Sequence, residues 1–140
     1  MKKRNVLKLL LIAVTSIILL ALTGCEGGSV PGADVDAERS IGEGDTSFLL
    51  RVTDNEDVTT LWTVYTNEET VGDALYAIGL IDGDHTDFGL MIQSVDGVVA
   101  DFDANGAWWG FFVDGEFATA GVSDTTIEPG IEYALVYSTD

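Results

Sequence analysis

The sequence is short of the residues on which most chemistry depends. It has one cysteine, Cys25, and one histidine, His85. No disulfide can form within the chain, and no Cys/His zinc pattern is present. Basic residues are almost as scarce. Of six Lys and Arg, Lys2, Lys3, Arg4 and Lys8 crowd the N-terminus, leaving only Arg39 and Arg51 beyond it. All 24 acidic residues follow Cys25, so the chain from that residue onward carries 2 − 24 = −22. Phosphate backbones are held by Lys and Arg, so nucleic acid is excluded as a partner. Cations and basic partners are attracted to such a surface, and a solvating role in high salt fits it as well. A long membrane-spanning run is also missing. Leu9–Leu22 is apolar except for Thr15 and Ser16, but a bilayer span needs about 20 residues.

What the N-terminus does have is an ordered set of signals. The basic cluster, the short apolar stretch and Leu22-Thr23-Gly24-Cys25 follow one another directly. This is the pattern of a secretory leader ending in a lipobox, Leu-x-Gly-Cys, in which small residues suit a peptidase cleft and the thiol accepts the lipid. The expectation is a signal peptide over residues 1–24 and lipidation at Cys25. The protein is then held to the outer face of the cell membrane by its lipid anchor. A diacylglyceryl group suits that task, since each buried methylene contributes about 0.8 kcal/mol. Residues 26–45 are rich in Gly, Ala, Ser and acids, with Pro31 among them. With Cys25, they are expected to form a flexible linker over 25–45.

From Thr46 large apolar residues recur, and about 95 residues remain for one modest domain over 46–140. Phe48, Leu50 and Val52 alternate with Leu49 and Arg51, as in a strand. Asp54–Asp57 is a turn, and Thr59–Tyr65 reads as a second strand antiparallel to the first. Thr70 is placed to cap a helix with Asp73 three residues later; Val71, Ala74, Leu75 and Ile78 have helical spacing, and Gly79 marks the end. Phe88–Val95, Val98–Phe102, Ala107–Val113 and Ile131–Ser138 read as strands, separated by Asp96-Gly97, Asp103–Gly106 and Asp114-Gly115. The expected architecture is α+β and β-grasp-like, a mixed sheet of about five strands with one packed helix.

An enzyme is disfavoured, because no nucleophile or triad-like setting surrounds any Ser or Asp, and His85 lies in the acidic, loop-like stretch 82–87. Asp101-Phe102-Asp103-Ala104-Asn105-Gly106 copies the first half of an EF-hand loop. Its twelfth position is Phe112 instead of a bidentate Glu, so a hairpin at Asn105-Gly106 is preferred and no metal site is expected. The aromatic run Trp108-Trp109-Gly110-Phe111-Phe112 is more informative. Both faces of such a strand are apolar: one must be core, and the other is either covered by a second layer or open as a ligand platform.

Four segments resemble one family. Val71-Gly72-Asp73-Ala74-Leu75 is similar to its Val-x-x-Ala-Leu helix. Phe88-Gly89 with Ile92–Gly97 resembles its Tyr-Gly … Ile-x-Ser-Ile-x-Gly hairpin, and Trp108-Trp109 with Val113–Glu116 its Tyr-Trp … Val-Asn-Gly-Glu strand. Gly121–Asp124 and Pro129–Glu132 resemble its closing motifs. The family is that of transcobalamin-like C-terminal domains, found in bacterial surface lipoproteins. The resemblance implies a β-grasp-type fold and, by analogy with vitamin-B12 carriers, a face that covers a corrin ring. Trp108 and Trp109 are then the carried-over ligand contacts, joined by Phe111 on the face of Trp109. No bound cofactor is implied, but a corrinoid such as cobalamin is implied as a ligand. The expected function is an extracellular, non-catalytic binding lipoprotein that holds a small molecule for uptake near a membrane importer. The alternative is an interaction module that docks on a partner surface protein through the same aromatic strand.

Overall fold

The computed structural model describes residues 34–139. Among the described residues two sheets, one two-turn helix, a single helical turn and a short 3-10 turn make up the α+β fold. The larger sheet is mixed and has the order β1-β3-β2-β9-β7-β8. Its strands are β1 (Ala37–Gly42), β2 (Thr46–Thr53), β3 (Thr59–Thr66), β7 (Ala107–Val113), β8 (Glu116–Phe117) and β9 (Glu132–Thr139). The smaller sheet is a meander of β4 (Ile81–Thr86), β5 (Gly89–Val95) and β6 (Val98–Val99). The expected mixed sheet with a packed helix is present, but with six strands and a second sheet rather than about five strands in all.

Alternation decides the inner face of the large sheet. Phe48, Leu50 and Val52 of β2, Trp62 and Val64 of β3, Trp109 and Phe111 of β7, and Tyr133 and Leu135 of β9 all enter one core. As expected, β2 and β3 are antiparallel, with Leu50 opposite Trp62. The C-terminal strand β9 then inserts between β2 and β7, parallel to the first and antiparallel to the second.

Helix α1 (Val71–Ala77) closes the core through Val71, Ala74 and Leu75, all fully buried. The Thr70 hydroxyl accepts from the Asp73 amide at 3.1 Å, which satisfies one free donor of the first turn. At the other end Gly79 takes φ +68, its amide donates to Tyr76, and the Leu80 amide donates to Leu75. This pair of bonds is a Schellman stop, for which a residue without a Cβ is the natural choice. The helix also lies against a 3-10 turn at Val122–Asp124. A Cβ on Gly72 would come within 2.9 Å of Ser123 N and Val122 C, so only glycine permits that approach.

Three expectations need correction. First, the expected linker over 25–45 includes a strand: β1 pairs in parallel with β3 over six residues, from Ala37–Thr60 to Gly42–Tyr65. An edge strand needs little apolar content when its main chain is paired. Here Ile41 packs on the core and the Arg39 guanidinium lies 5.4 Å from the Trp62 ring centroid. The remainder of that segment up to residue 33, with Cys25 and residues 1–24, lies outside the described residues. Second, the acidic stretch around His85 is strand β4, which pairs with β5 from Ile81–Val95 to Thr86–Gly89. Third, Asn105-Gly106 closes no hairpin. Phe102–Asn105 forms a single helical turn, α2, whose amide at Ala104 is accepted by the Asp101 carboxylate at 2.9 Å, and Gly106 ends it at φ +69. The return strand read as Val98–Phe102 therefore shrinks to β6. Asp96-Gly97 and Asp114-Gly115 are tight turns as expected, with positive φ at both residues of each pair. No helix among the described residues is long and apolar enough to cross a membrane.

Candidate functional site

The strand β7 carries a different apolar surface on each side, and Gly110 is the reason its outer side is compact. A Cβ at Gly110 would lie 3.1 Å from the Phe112 ring and 3.2 Å from the Trp108 ring, so these two side chains lean over it. Phe117 meets both edge-on, at centroid distances of 5.9 Å from Trp108 and 5.4 Å from Phe112. On the inner side Trp109 packs edge-on against Tyr137 at 5.5 Å and donates its indole N–H to the Val98 carbonyl at 3.3 Å. Phe111 stacks on Tyr133, which in turn meets Phe48 edge-on. The strand therefore joins the core to an outer aromatic cluster.

Between β7 and the small sheet lies an open groove of about 1140 Å³, above the ~300–1,000 Å³ typical of small-molecule clefts. One wall is β7, with Trp108, Trp109 and Phe111. The facing wall is β5 with the segment that leads into α2, and the third side is Phe117 of β8 with the stretch 118–122 that follows it. All three aromatic residues expected to bind ligand line this groove. Trp109 and Phe111 are only 7% and 8% exposed, so they form its base, whereas Trp108 is half-buried. The rim was not legible in the sequence. Met91, Val99, Phe102 and Phe117 are 61%, 64%, 61% and 59% exposed, and all four line the groove. Large apolar side chains clustered in one concavity of an otherwise acidic surface make this groove the candidate binding site.

The walls are tied together by polar contacts. The Leu90 amide donates to the Ser123 hydroxyl at 3.2 Å, which fixes β5 to the 3-10 turn. Gln93 donates through its side chain to Asp84 at 2.7 Å. Asp101 and Asp103 stand at the rim, and no Lys or Arg lines the groove. His85 is exposed on β4, where its ring meets the Tyr76 ring edge-on at 5.2 Å, away from the groove lining. Among the described residues no group of three His, Cys, Asp or Glu side chains is arranged to hold a metal ion.

Residues 68–133 match the model of a domain of unknown function, DUF4430. A candidate metal-binding protein from Ruminococcus gnavus ATCC 29149 has the same fold, with a TM-score of 0.64 at 23% identity over 69% of this chain and 99% of its own. Haptocorrin in complex with cobinamide (Cbi) aligns over 71% of this chain with a TM-score of 0.52 and 14% identity. Residues 68–133, just under half of the chain, are thus similar to DUF4430, in a fold shared with both neighbours. The matched part is 27% of the haptocorrin chain, so the shared fold corresponds to about a quarter of that protein. Both neighbours bear the names of binding proteins rather than enzymes. No curated protein matches the sequence.

Proposed function

We propose that this chain is a lipid-anchored extracellular binding protein, non-catalytic, whose groove holds a small ligand with a broad apolar face. The observation that carries this reading is the groove itself. Trp108, Trp109 and Phe111 form one wall, with the exposed Met91, Val99, Phe102 and Phe117 around them. Such a surface gains on the order of 25 cal/mol per Å² of apolar area covered, without a charged group to desolvate on the aromatic wall. A corrinoid is the ligand class favoured by the transcobalamin-like fold and by the cobinamide held by haptocorrin. A single domain supplies one face to such a ligand, in keeping with a protein that presents its cargo to a membrane importer. The anchor in this proposal is Cys25, acylated after removal of residues 1–24, and the carboxylate-rich surface faces the medium.

Two measurements test it. Titration calorimetry and Trp fluorescence with cobinamide and cobalamin should show heat and quenching from the groove indoles. Silence in both up to high micromolar ligand rules out the corrinoid. Mass spectrometry of the membrane-extracted protein should find a chain beginning at a diacylglyceryl-modified Cys25, and Cys25→Ser should release the protein to the medium. An intact Met1 on an unmodified thiol refutes the anchor. A second reading, docking on a partner surface protein, is favoured by one further feature of the same wall: among the described residues, the edge of β7 that faces the groove has no strand partner along part of its length.

A further inference from the structure

We infer that the open edge of β7 takes an extended peptide segment of a basic partner by strand addition. This inference rests on the protein-docking reading of the groove and is independent of whether a corrinoid binds there. The direction of the main-chain groups decides the matter. The Asp114 amide donates to the Glu132 carbonyl at 2.8 Å, so even-numbered residues of this stretch point their amides toward β9. The odd-numbered Ala107, Trp109, Phe111 and Val113 point theirs to the opposite edge.

On that edge β8 covers only Phe112 and Val113. Beyond it the Ala118 amide donates to the Phe111 carbonyl at 2.9 Å, and the Ala107 amide donates to the Asn105 side chain at 3.1 Å. The Phe111 amide, both main-chain groups of Trp109 and the Ala107 carbonyl have no partner among the described residues. All three residues line the groove, although little of their total surface is exposed. Buried main-chain groups are rarely left unpaired, and this set has the two-residue spacing that an added strand matches. A peptide seated there continues the line of β8, with alternate side chains toward Met91 and Val99 on one side and toward Trp108 and Phe117 on the other.

Charge selects the occupant. The groove lining holds Asp101 and Asp103 and no basic residue, and the two Arg of the domain lie elsewhere, on β1 and β2. A second copy of this chain would bring its own acidic rim against the first, so pairing of β7 with its twin is opposed. A segment with apolar or β-branched residues in the middle and Lys or Arg at its ends is complementary.

The test uses the full chain in detergent micelles and the peptide Lys-Val-Thr-Val-Thr-Val-Lys at low salt. Binding should slow hydrogen exchange at the Trp109 and Phe111 amides by about tenfold or more. The same peptide with Glu in place of both Lys should bind about tenfold more weakly. Asp101→Asn with Asp103→Asn, which keeps the cap of α2, should narrow that gap. Methylation of alternate peptide nitrogens on the pairing edge should abolish binding. Equal binding by the methylated or the Glu-flanked peptide overturns the inference, as does no binding by any peptide. If cobinamide binds while every peptide fails, strand addition alone is wrong. If neither binds, the groove reading falls with it.

Discussion

Replacing Gly72 with Ala sets helix propensity against packing, and the structure decides which wins. In an isolated helix the change favours folding by up to about 1 kcal/mol. Here the new methyl carbon would lie 2.9 Å from Ser123 N and 2.9 Å from Val122 C. Both are main-chain atoms, which cannot swing aside as a long side chain does. Overpacking of this kind costs about 1–3 kcal/mol, and a backbone neighbour places it at the upper end. The net loss is therefore about 2 kcal/mol. At about 4–8 °C per kcal/mol for a domain near this size, Gly72→Ala should lower the melting temperature by roughly 10 °C, as followed by far-ultraviolet circular dichroism. Gly79→Ala is the control. That position has open space around it but φ +68, so only backbone strain of about 1 kcal/mol is added. The displaced 3-10 turn carries Ser123, the acceptor for the Leu90 amide, and Val122 on the groove wall. Gly72→Ala should therefore also shift the Trp emission, whereas Gly79→Ala should not. A Gly72→Ala protein that melts at or above the parent temperature would show that α1 and the turn are not in the contact described.

Five other substitutions probe separate parts of the fold. The Tyr133 hydroxyl donates to the Thr126 carbonyl at 3.2 Å and accepts from the Glu128 amide at 3.0 Å, so Tyr133→Phe should cost about 1–3 kcal/mol in urea denaturation. Arg51 is gripped by both oxygens of Glu132, at 3.0 and 3.2 Å, on the outer face of the large sheet. Glu132→Ala strands that guanidinium and should destabilise more than Arg51→Met, which removes the partly buried cation and fills its volume; the reverse order would contradict the pairing. Trp109→Ala should cost about 3–5 kcal/mol because it empties the core. Trp108→Ala should leave the melting temperature nearer the parent value while weakening groove binding in calorimetry.

Elements with a strict residue period could be read directly. Phe48, Leu50 and Val52 alternate, as do Tyr133 and Leu135, because one face of each strand is buried and the other is not. The start and stop of α1 were legible because Thr70 and Gly79 meet local needs of the backbone. β1 and β4 were not. Ala37–Gly42 and Ile81–Thr86 bury little beyond Ile41 and Ile81, so their pairing is held by main-chain bonds that leave no apolar pattern. Asn105-Gly106 misled for a related reason. The residues suit a hairpin, but the Asp101 side chain captures the Ala104 amide first and winds a turn of helix. The site divided the same way. Trp108, Trp109 and Phe111 stand together in sequence, whereas Met91, Phe102 and Phe117 come together only when separate strands pack.

The position of β9 bears on how the protein is made. Its eight residues follow every other strand of the sheet in sequence, yet β2 and β7 both depend on them as a neighbour. A nascent chain thus cannot zip up this sheet until β9 has emerged, and pairings this distant along the chain form slowly, on the order of milliseconds to seconds. For a polypeptide exported as proposed, that delay has a use: the chain stays threadable for the length of its passage and locks only on the far side.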